Sequence, residues 1–263
     1  MGRPAQTRPV VRVAVAGKGG AGKTTFSATL ARLEARRGRV VVAIDGDSNP
    51  NLAAALGVPP AVAASAAALP PALVSRRRGG PGLTVGLDEV LDRHGITAPD
   101  GVRLVTMGHP DHADEGCLCA AHAVVSALLG DLGDRPDILA VVDLEASPEH
   151  LSRGTARHAD VLVLVAEPYF RSLEAVRRLA ALAAELPIPQ VGLIANKVRS
   201  CADAEAVSEF CGRHGLEHLG EIPWGDAVTA ADGAALPLLD TTPDDPVVAA
   251  VAAVGARLRT ARA

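Results

Sequence analysis

Residues Gly17-Lys18-Gly19-Gly20-Ala21-Gly22-Lys23-Thr24-Thr25 have the make-up of a phosphate cradle. An apolar run, Val10 to Ala16, precedes them and a helical pattern, Phe26 to Leu33, follows. Strand, glycine loop and helix is the setting in which G-x-x-x-x-G-K-T binds a nucleotide. The glycines let successive backbone N–H groups turn toward one anion, and the helix N-terminus adds partial positive charge. In that setting Lys23 reaches the β- and γ-phosphates and the Thr24 hydroxyl holds Mg²⁺.

Carboxylates stand at two further strand ends. Asp45-Gly46-Asp47-Ser48-Asn49-Pro50-Asn51-Leu52 follows the run Val40 to Ile44. Carboxylates at i and i+2 leave a strand end on one side, which puts Asp45 near Mg²⁺ or its waters. Asp143 closes the run Ile138 to Val142, the place of an aspartate that binds Mg²⁺ through water. The residues after it, Leu144 to Thr155, are the expected second switch. Asn196-Lys197 ends the run Val191 to Ala195, and the Asn196 amide can both donate and accept.

A second chemistry lies in Gly116-Cys117-Leu118-Cys119, at the start of a predicted helix. A helix N-terminus lowers thiol pKa and favours the metal-binding thiolate. Two thiolates are half of a tetrahedral S₄ site, and two pairs related by a two-fold axis complete it. Such a site accepts Ni²⁺ or Zn²⁺, and Fe–S clusters also use it. His109, His112 and His122 flank the pair and read first as solvated or helix-end histidines, with metal capture as the alternative. Cys201 and Cys211 read as structural.

These groups need an α/β frame. Near-continuous Val/Ile/Leu runs at Val10–Ala16, Val40–Ile44, Arg103–Met107, Ile138–Val142, Val161–Val165 and Val191–Ala195, with a weaker one at His218–Ile222, read as parallel strands buried on both faces. Helical patterns lie at Thr24–Arg37, Cys117–Leu129, His150–His158, Ser172–Glu185, Ala202–His214 and Pro246–Arg262. The alternation predicts a doubly wound, mostly parallel sheet of about seven to eight strands flanked by helices, the P-loop NTPase fold. One domain over residues 1–263 is expected, with a partly helical, partly mobile insertion at about 58–101. Arg76-Arg77-Arg78 in that insertion reads as a solvated loop, with a patch for an acidic partner as the alternative. Apolar residues are 48% and aromatics 2%, so the core must be aliphatic. A net charge of −4 gives no pull toward nucleic acid or acidic lipid. No apolar run approaches the ~18 residues of a membrane span, and the four unevenly spaced cysteines suggest no disulfide framework. A cytoplasmic protein is the expectation.

Lys18 sharpens the reading, because K-G-G-x-G-K-T-T resembles the deviant Walker A group. That group includes the MinD and ParA partition ATPases, the nitrogenase iron protein and metallocentre-assembly ATPases. The resemblance implies an ATP-dependent homodimer in which Lys18 crosses to the partner's nucleotide. It also implies that Asp47 orients the attacking water, which makes Lys18, Lys23 and Asp47 the catalytic set. Asn196 and Lys197 would then lie at the adenine edge, with the Ile222-Pro223-Trp224 segment packed on the base.

The Cys-x-Cys pair, D-x-D-x-x-x-N-L, Asp143-Leu144-Glu145-Ala146, Glu149-His150-Leu151-Ser152-Arg153-Gly154-Thr155, Glu167-Pro168 and Asn196-Lys197-Val198-Arg199 together look like the CooC-type ATPases, over most of the chain. Those mature the nickel centre of carbon monoxide dehydrogenase. The likeness implies ATP and Mg²⁺, Ni²⁺ or Zn²⁺ on Cys117 and Cys119 of both subunits, and a client metalloenzyme. Ser147-Pro148 departs from the glycine-containing turn expected there. Two other readings belong to the wider group: a spatial-organisation ATPase of the MinD/ParA type, and an iron-protein-like reductase with a [4Fe–4S] cluster. The charge balance and the adjacent cysteines fit them less well.

Overall fold

The computed structural model describes residues 12–77, 80–107 and 119–259. Val10, Val11, Arg78, His109, His112 and Cys117 lie outside the described residues. In chain order the elements are β1 (Arg12–Gly17), α1 (Lys23–Arg36), β2 (Val40–Gly46), α2 (Leu52–Leu56), α3 (Pro60–Ala64), β3 (Val74–Arg77), β4 (Gly80–Leu83), α4 (Leu87–His94), β5 (Ile96–Thr97) and β6 (Arg103–Thr106). There follow α5 (Cys119–Leu132), β7 (Ile138–Leu144), α6 (Glu149–Ser152), β8 (Val161–Ala166), α7 (Phe170–Ala183), β9 (Gln190–Val198), α8 (Cys201–His214), β10 (Glu217–Pro223), α9 (Asp226–Gly233), α10 (Leu238–Thr241) and α11 (Pro246–Leu258).

Eight strands form one sheet in the order β10-β9-β8-β1-β7-β2-β6-β5. All neighbours are parallel except the short edge strand β5, which runs antiparallel to β6. The runs are continuously apolar because both faces are covered. Ala14, Ala16, Val42 and Ile44 face one core with α5, α7 and α8. Val13, Val15, Val41 and Ala43 face the other with α1 and α11. Every residue of β7 is buried. β1 sits between β7 and β8, so the chain leaves β1 for β2 over an intervening strand. Crevices at the C-terminal ends of strands near such a crossing are where this architecture holds ligands.

Among the described residues, the segment 58–101 contains α3, the β3–β4 hairpin, α4 and β5. Leu69, Leu83, Val90 and Leu91 belong to the same buried cluster as the sheet. Two expectations are corrected. Arg76 and Arg77 lie on strand β3 instead of a loop. The helix expected over His150–His158 is a single turn, Glu149–Ser152, because Gly154 takes a left-handed φ of 70° and ends it.

Candidate functional site

The P-loop joins β1 to α1 at the centre of the sheet. Gly17 approaches β8 so closely that a Cβ there would lie 2.3 Å from the Val165 carbonyl oxygen. Gly22 caps α1 in the left-handed region, at φ 95° and ψ 21°. A Cβ on it would lie 2.2 Å from the Asn196 Nδ2. Lys23 is the first residue of α1, and its Nζ donates to the Lys18 carbonyl at 3.5 Å. Gly19, Gly20, Ala21 and Thr25 complete the loop and the helix start as the motif requires.

Beneath the loop the predicted carboxylates converge. Asp45 and Asp143 are partners in the β2–β7 register, so their side chains leave the sheet side by side. Both are 1% exposed. Asp143 accepts from the Thr24 hydroxyl at 2.6 Å and from the Ser27 hydroxyl at 3.2 Å. Asp45 accepts from the backbone N–H groups of Leu52 (2.8 Å) and Asp47 (3.2 Å). Burial pushes the Asp45 carboxyl up to about 7 and that of Asp143 up to about 6, the latter against the pull of its Thr24 bond and of Lys23. Two carboxylates and a hydroxyl, all oxygen donors, suit a hard cation such as Mg²⁺. Asp47 lies further out and accepts from the Asn49 N–H at 2.8 Å, which fixes the first-switch turn.

The segment expected to be the second switch leaves β7 beside this cluster. The Ser147 hydroxyl accepts from the Glu149 N–H at 3.1 Å, and Pro148 leads into α6. Serine and proline thus build the turn at the place where glycine was expected. His150 is 1% exposed, and its Nε2 accepts from the Glu145 N–H at 3.2 Å. Burial drops its imidazole to about 3, so it is neutral and carries its proton on Nδ1. The Glu145 carboxylate 3.6 Å away is therefore no ion-pair partner. His150 stands edge-on to His122 at 4.4 Å between ring centroids. His122 is 2% exposed on α5, so it is a core residue and not the solvated histidine that its sequence neighbourhood suggested. Cys119, exposed, opens the same helix, and the Arg153 guanidinium of the second switch donates to its Sγ. Cys119 is disulfide-bonded; of the free thiols, Cys211 is buried and pushed up to about 11, as a structural residue would be, while Cys201 is exposed at the start of α8.

At the far end of the loop, Asn196 donates from Nδ2 to the Ala21 carbonyl at 2.6 Å. Its amide hydrogens are thus turned to the loop, and the oxygen remains as the acceptor for a base. Lys197 has φ 59°, and its Nζ donates to the Gly20 carbonyl at 2.7 Å and pairs with Glu167 at 3.2 Å. It braces the loop, a role that the strand-end position did not reveal. Beyond them a cleft of about 440 Å³ runs between Gly22, Asn196, Pro223, Trp224, Val228 and Leu236. Trp224 is 39% exposed at its rim, with the Arg199 guanidinium 3.9 Å over its ring and Asp226 accepting from its indole N–H at 2.9 Å. The indole is therefore a wall residue of the cleft. Ser27, Arg199 and Tyr169 were missed. Ser27 had a signal: it lies one helical turn after Thr24, on the same face.

Buried paired carboxylates, a glycine cradle and an open cleft at the C-terminal ends of a parallel sheet define a P-loop nucleotide-binding protein. Residues 13–238 match the family described as the CobQ/CobB/MinD/ParA nucleotide binding domain, and the chain belongs to that family as one of its ATPases. It is 37% identical to the carbon monoxide dehydrogenase accessory protein CooC of Rhodospirillum rubrum, over 89% of this chain and 91% of that protein. It is 32% identical to an uncharacterised ATP-binding protein of Methanocaldococcus jannaschii, over 84% of this chain and 88% of that one. Among solved structures, a ParA family ATPase from Chlorobium tepidum superposes with a TM-score of 0.70 at 18% identity, covering 94% of this chain and 98% of that one. The septum site-determining protein MinD of Pyrococcus horikoshii, complexed with Mg-ADP, gives 0.66 at 18% identity, over 94% and 96%. At that identity the likeness concerns the fold. Among the described residues no helix is long and apolar enough to cross a membrane.

Proposed function

We propose that this protein is an ATP-driven metallochaperone that loads nickel into a carbon monoxide dehydrogenase-like enzyme. The observation that carries the reading is the near-full-length, 37% identity to the CooC accessory protein, joined to a Cys-x-Cys pair in the same chain. ATP lies with its phosphates on Gly17 to Thr25 and its base in the cleft beside Asn196 and Pro223. Lys23 holds the β- and γ-phosphates. Thr24, Asp45 and Asp143 hold Mg²⁺, which supplies charge neutralisation to the phosphates. Asp47 orients the water for in-line attack. Lys18 reaches the nucleotide of a second subunit, so that ATP closes a homodimer in the cytoplasm.

Cys117 and Cys119 of both subunits then form one tetrahedral thiolate site for the cargo, Ni²⁺ or, in its place, Zn²⁺. The position of Cys119 supports this: it opens a helix, is exposed, and its sulfur meets Arg153; it is disulfide-bonded in this structure, so reduction must free the thiolate before it can ligate. Thiolate ligation displaces protons, so cargo affinity falls as pH is lowered. Equilibrium dialysis with elemental analysis tests the site. One Ni²⁺ per dimer with ATP is expected, with loss in the Cys117→Ser/Cys119→Ser variant and unchanged ATP binding. One metal per monomer, or full retention in the double variant, would overturn the shared site. A brown, iron-bearing protein from anaerobic purification would favour a cluster-bearing reductase.

A further inference from the structure

Lys18, the lysine that sets this loop apart, is held within its own subunit. Its Nζ donates to the Tyr169 hydroxyl at 2.9 Å and lies 5.1 Å from the centre of the same ring. The Tyr169 hydroxyl donates in turn to Glu167 Oε1 at 3.4 Å. Glu167 Oε2 pairs with the Lys197 ammonium at 3.2 Å, and Lys197 donates to the Gly20 carbonyl at 2.7 Å. The contacts form a closed ring from the P-loop to the ends of β8 and β9 and back to the P-loop. Lys197 occupies the left-handed backbone region to take part in it. That region is uncommon for a residue with a side chain, and the two side-chain partners of Lys197 hold it there.

A single ammonium cannot stay on Tyr169 and also reach another subunit's phosphates. We propose that Tyr169 is a latch: it holds Lys18 in the open subunit, and Lys18 must leave it for ATP to close the dimer. The inference rests on the reading that Lys18 acts across a two-fold axis, and it adds a regulatory step to that reading. Holding the competent group in an alternative contact lowers the apparent affinity of closure by the fraction of time it is held. Replacing Tyr169 by Phe keeps the ring under the ammonium and deletes only the hydroxyl. Tyr169 is 40% exposed and caps α7 through its backbone, so the variant leaves the core untouched.

Two measurements test the latch. Sedimentation velocity with a non-hydrolysable ATP analogue is run on the parent, Tyr169→Phe and Lys18→Ala. Tyr169→Phe is expected to dimerise at about four- to hundredfold lower protein concentration than the parent, because each of the two subunits gives up one hydrogen bond of its open form, roughly two- to tenfold apiece. Lys18→Ala is expected to remain largely monomeric. Tyr169 is the sole tyrosine of the chain, so its ultraviolet difference spectrum reports the phenol alone among tyrosines. Adding the analogue should perturb it in the parent and leave it unchanged in Lys18→Ala. Dimerisation of Tyr169→Phe at the parent concentration or above, or a phenol spectrum that ignores closure in the parent, would overturn the latch while leaving Lys18 in its trans role. Dimerisation of Lys18→Ala at the parent concentration would overturn the trans role, and the latch with it.

Discussion

Gly22 and Asn196 compete for one space, and a double-mutant cycle between them measures how the cleft holds the P-loop. In Gly22→Ala the residue must keep φ near 95°, a left-handed conformation that costs a non-glycine roughly 1–2 kcal/mol. Its new Cβ falls 2.2 Å from the Asn196 Nδ2, so the amide must swing away and abandon the Ala21 carbonyl. A buried acceptor left without its donor adds roughly 1–3 kcal/mol. Together these predict a loss of roughly 2–5 kcal/mol for Gly22→Ala. Asn196→Ala loses only the hydrogen bond, roughly 1–3 kcal/mol. In Gly22→Ala/Asn196→Ala the clash is absent and the bond is lost only once. The double variant should therefore be no less stable than Gly22→Ala alone, a coupling of at least roughly 1 kcal/mol. Urea unfolding of the four nucleotide-free proteins gives the cycle. If Asn196→Ala costs as much in the Gly22→Ala background as in the parent, the amide does not brace the loop, and its contact with Ala21 has no energetic weight.

Two further outcomes follow from the switches. Asp47→Ala should keep Mg²⁺–ATP bound in a closed dimer while hydrolysis falls by about 10²-fold or more, because the Asp47 carboxylate is bonded to the Asn49 N–H and not to the cradle itself; phosphate release at the parent rate would remove its water-orienting role. His150 takes a proton near 6.5 when unfolded and only near 3 when folded, so between those values the unfolded chain binds more protons and stability is lost as pH falls below about 6.5. His150→Gln, which can still offer an acceptor to Glu145, should flatten that fall in thermal melts between pH 4 and 7. An unchanged slope would mean that His150 is not the group responsible.

The sheet was readable from sequence because its strands are buried on both faces. Each predicted strand within the described residues is found, extended at one or both ends by up to three residues or, at Arg103, ending one residue earlier. β5 could not be read, since two residues carry no periodicity, and the β3–β4 hairpin is hidden in Arg, Gly and Pro. The cradle was readable because glycine and lysine at fixed spacing have one chemical use beside a strand end. The pairing of Asp45 with Asp143 was not, because it depends on which strands become neighbours: they are 98 residues apart in sequence and adjacent in register. For the same reason Tyr169 gave no sign of meeting Lys18. His122 and His150 look like surface residues in their local sequence, and only the packing of α5 against the second switch buries them.

That packing joins the two halves of the chemistry. The Glu145 N–H, the first backbone donor beyond β7, points at His150 Nε2. His150 is fixed edge-on against His122, which sits one turn along α5 from Cys119. Arg153, four residues after Glu149 and paired with it at 2.9 Å, touches the Cys119 sulfur directly. The segment between Asp143 and Arg153 therefore meets the buried carboxylates at one end and the Cys119 sulfur at the other. If Glu145 shifts while His150 stays, a half-buried N–H loses its acceptor. If His150 follows, it must displace a ring packed at 4.4 Å on the helix that carries Cys119. A close-packed interior does not absorb such a shift gradually. The segment from Glu145 to Arg153 and helix α5 are thus held to each other by a hydrogen bond, a ring contact and a sulfur contact within one subunit.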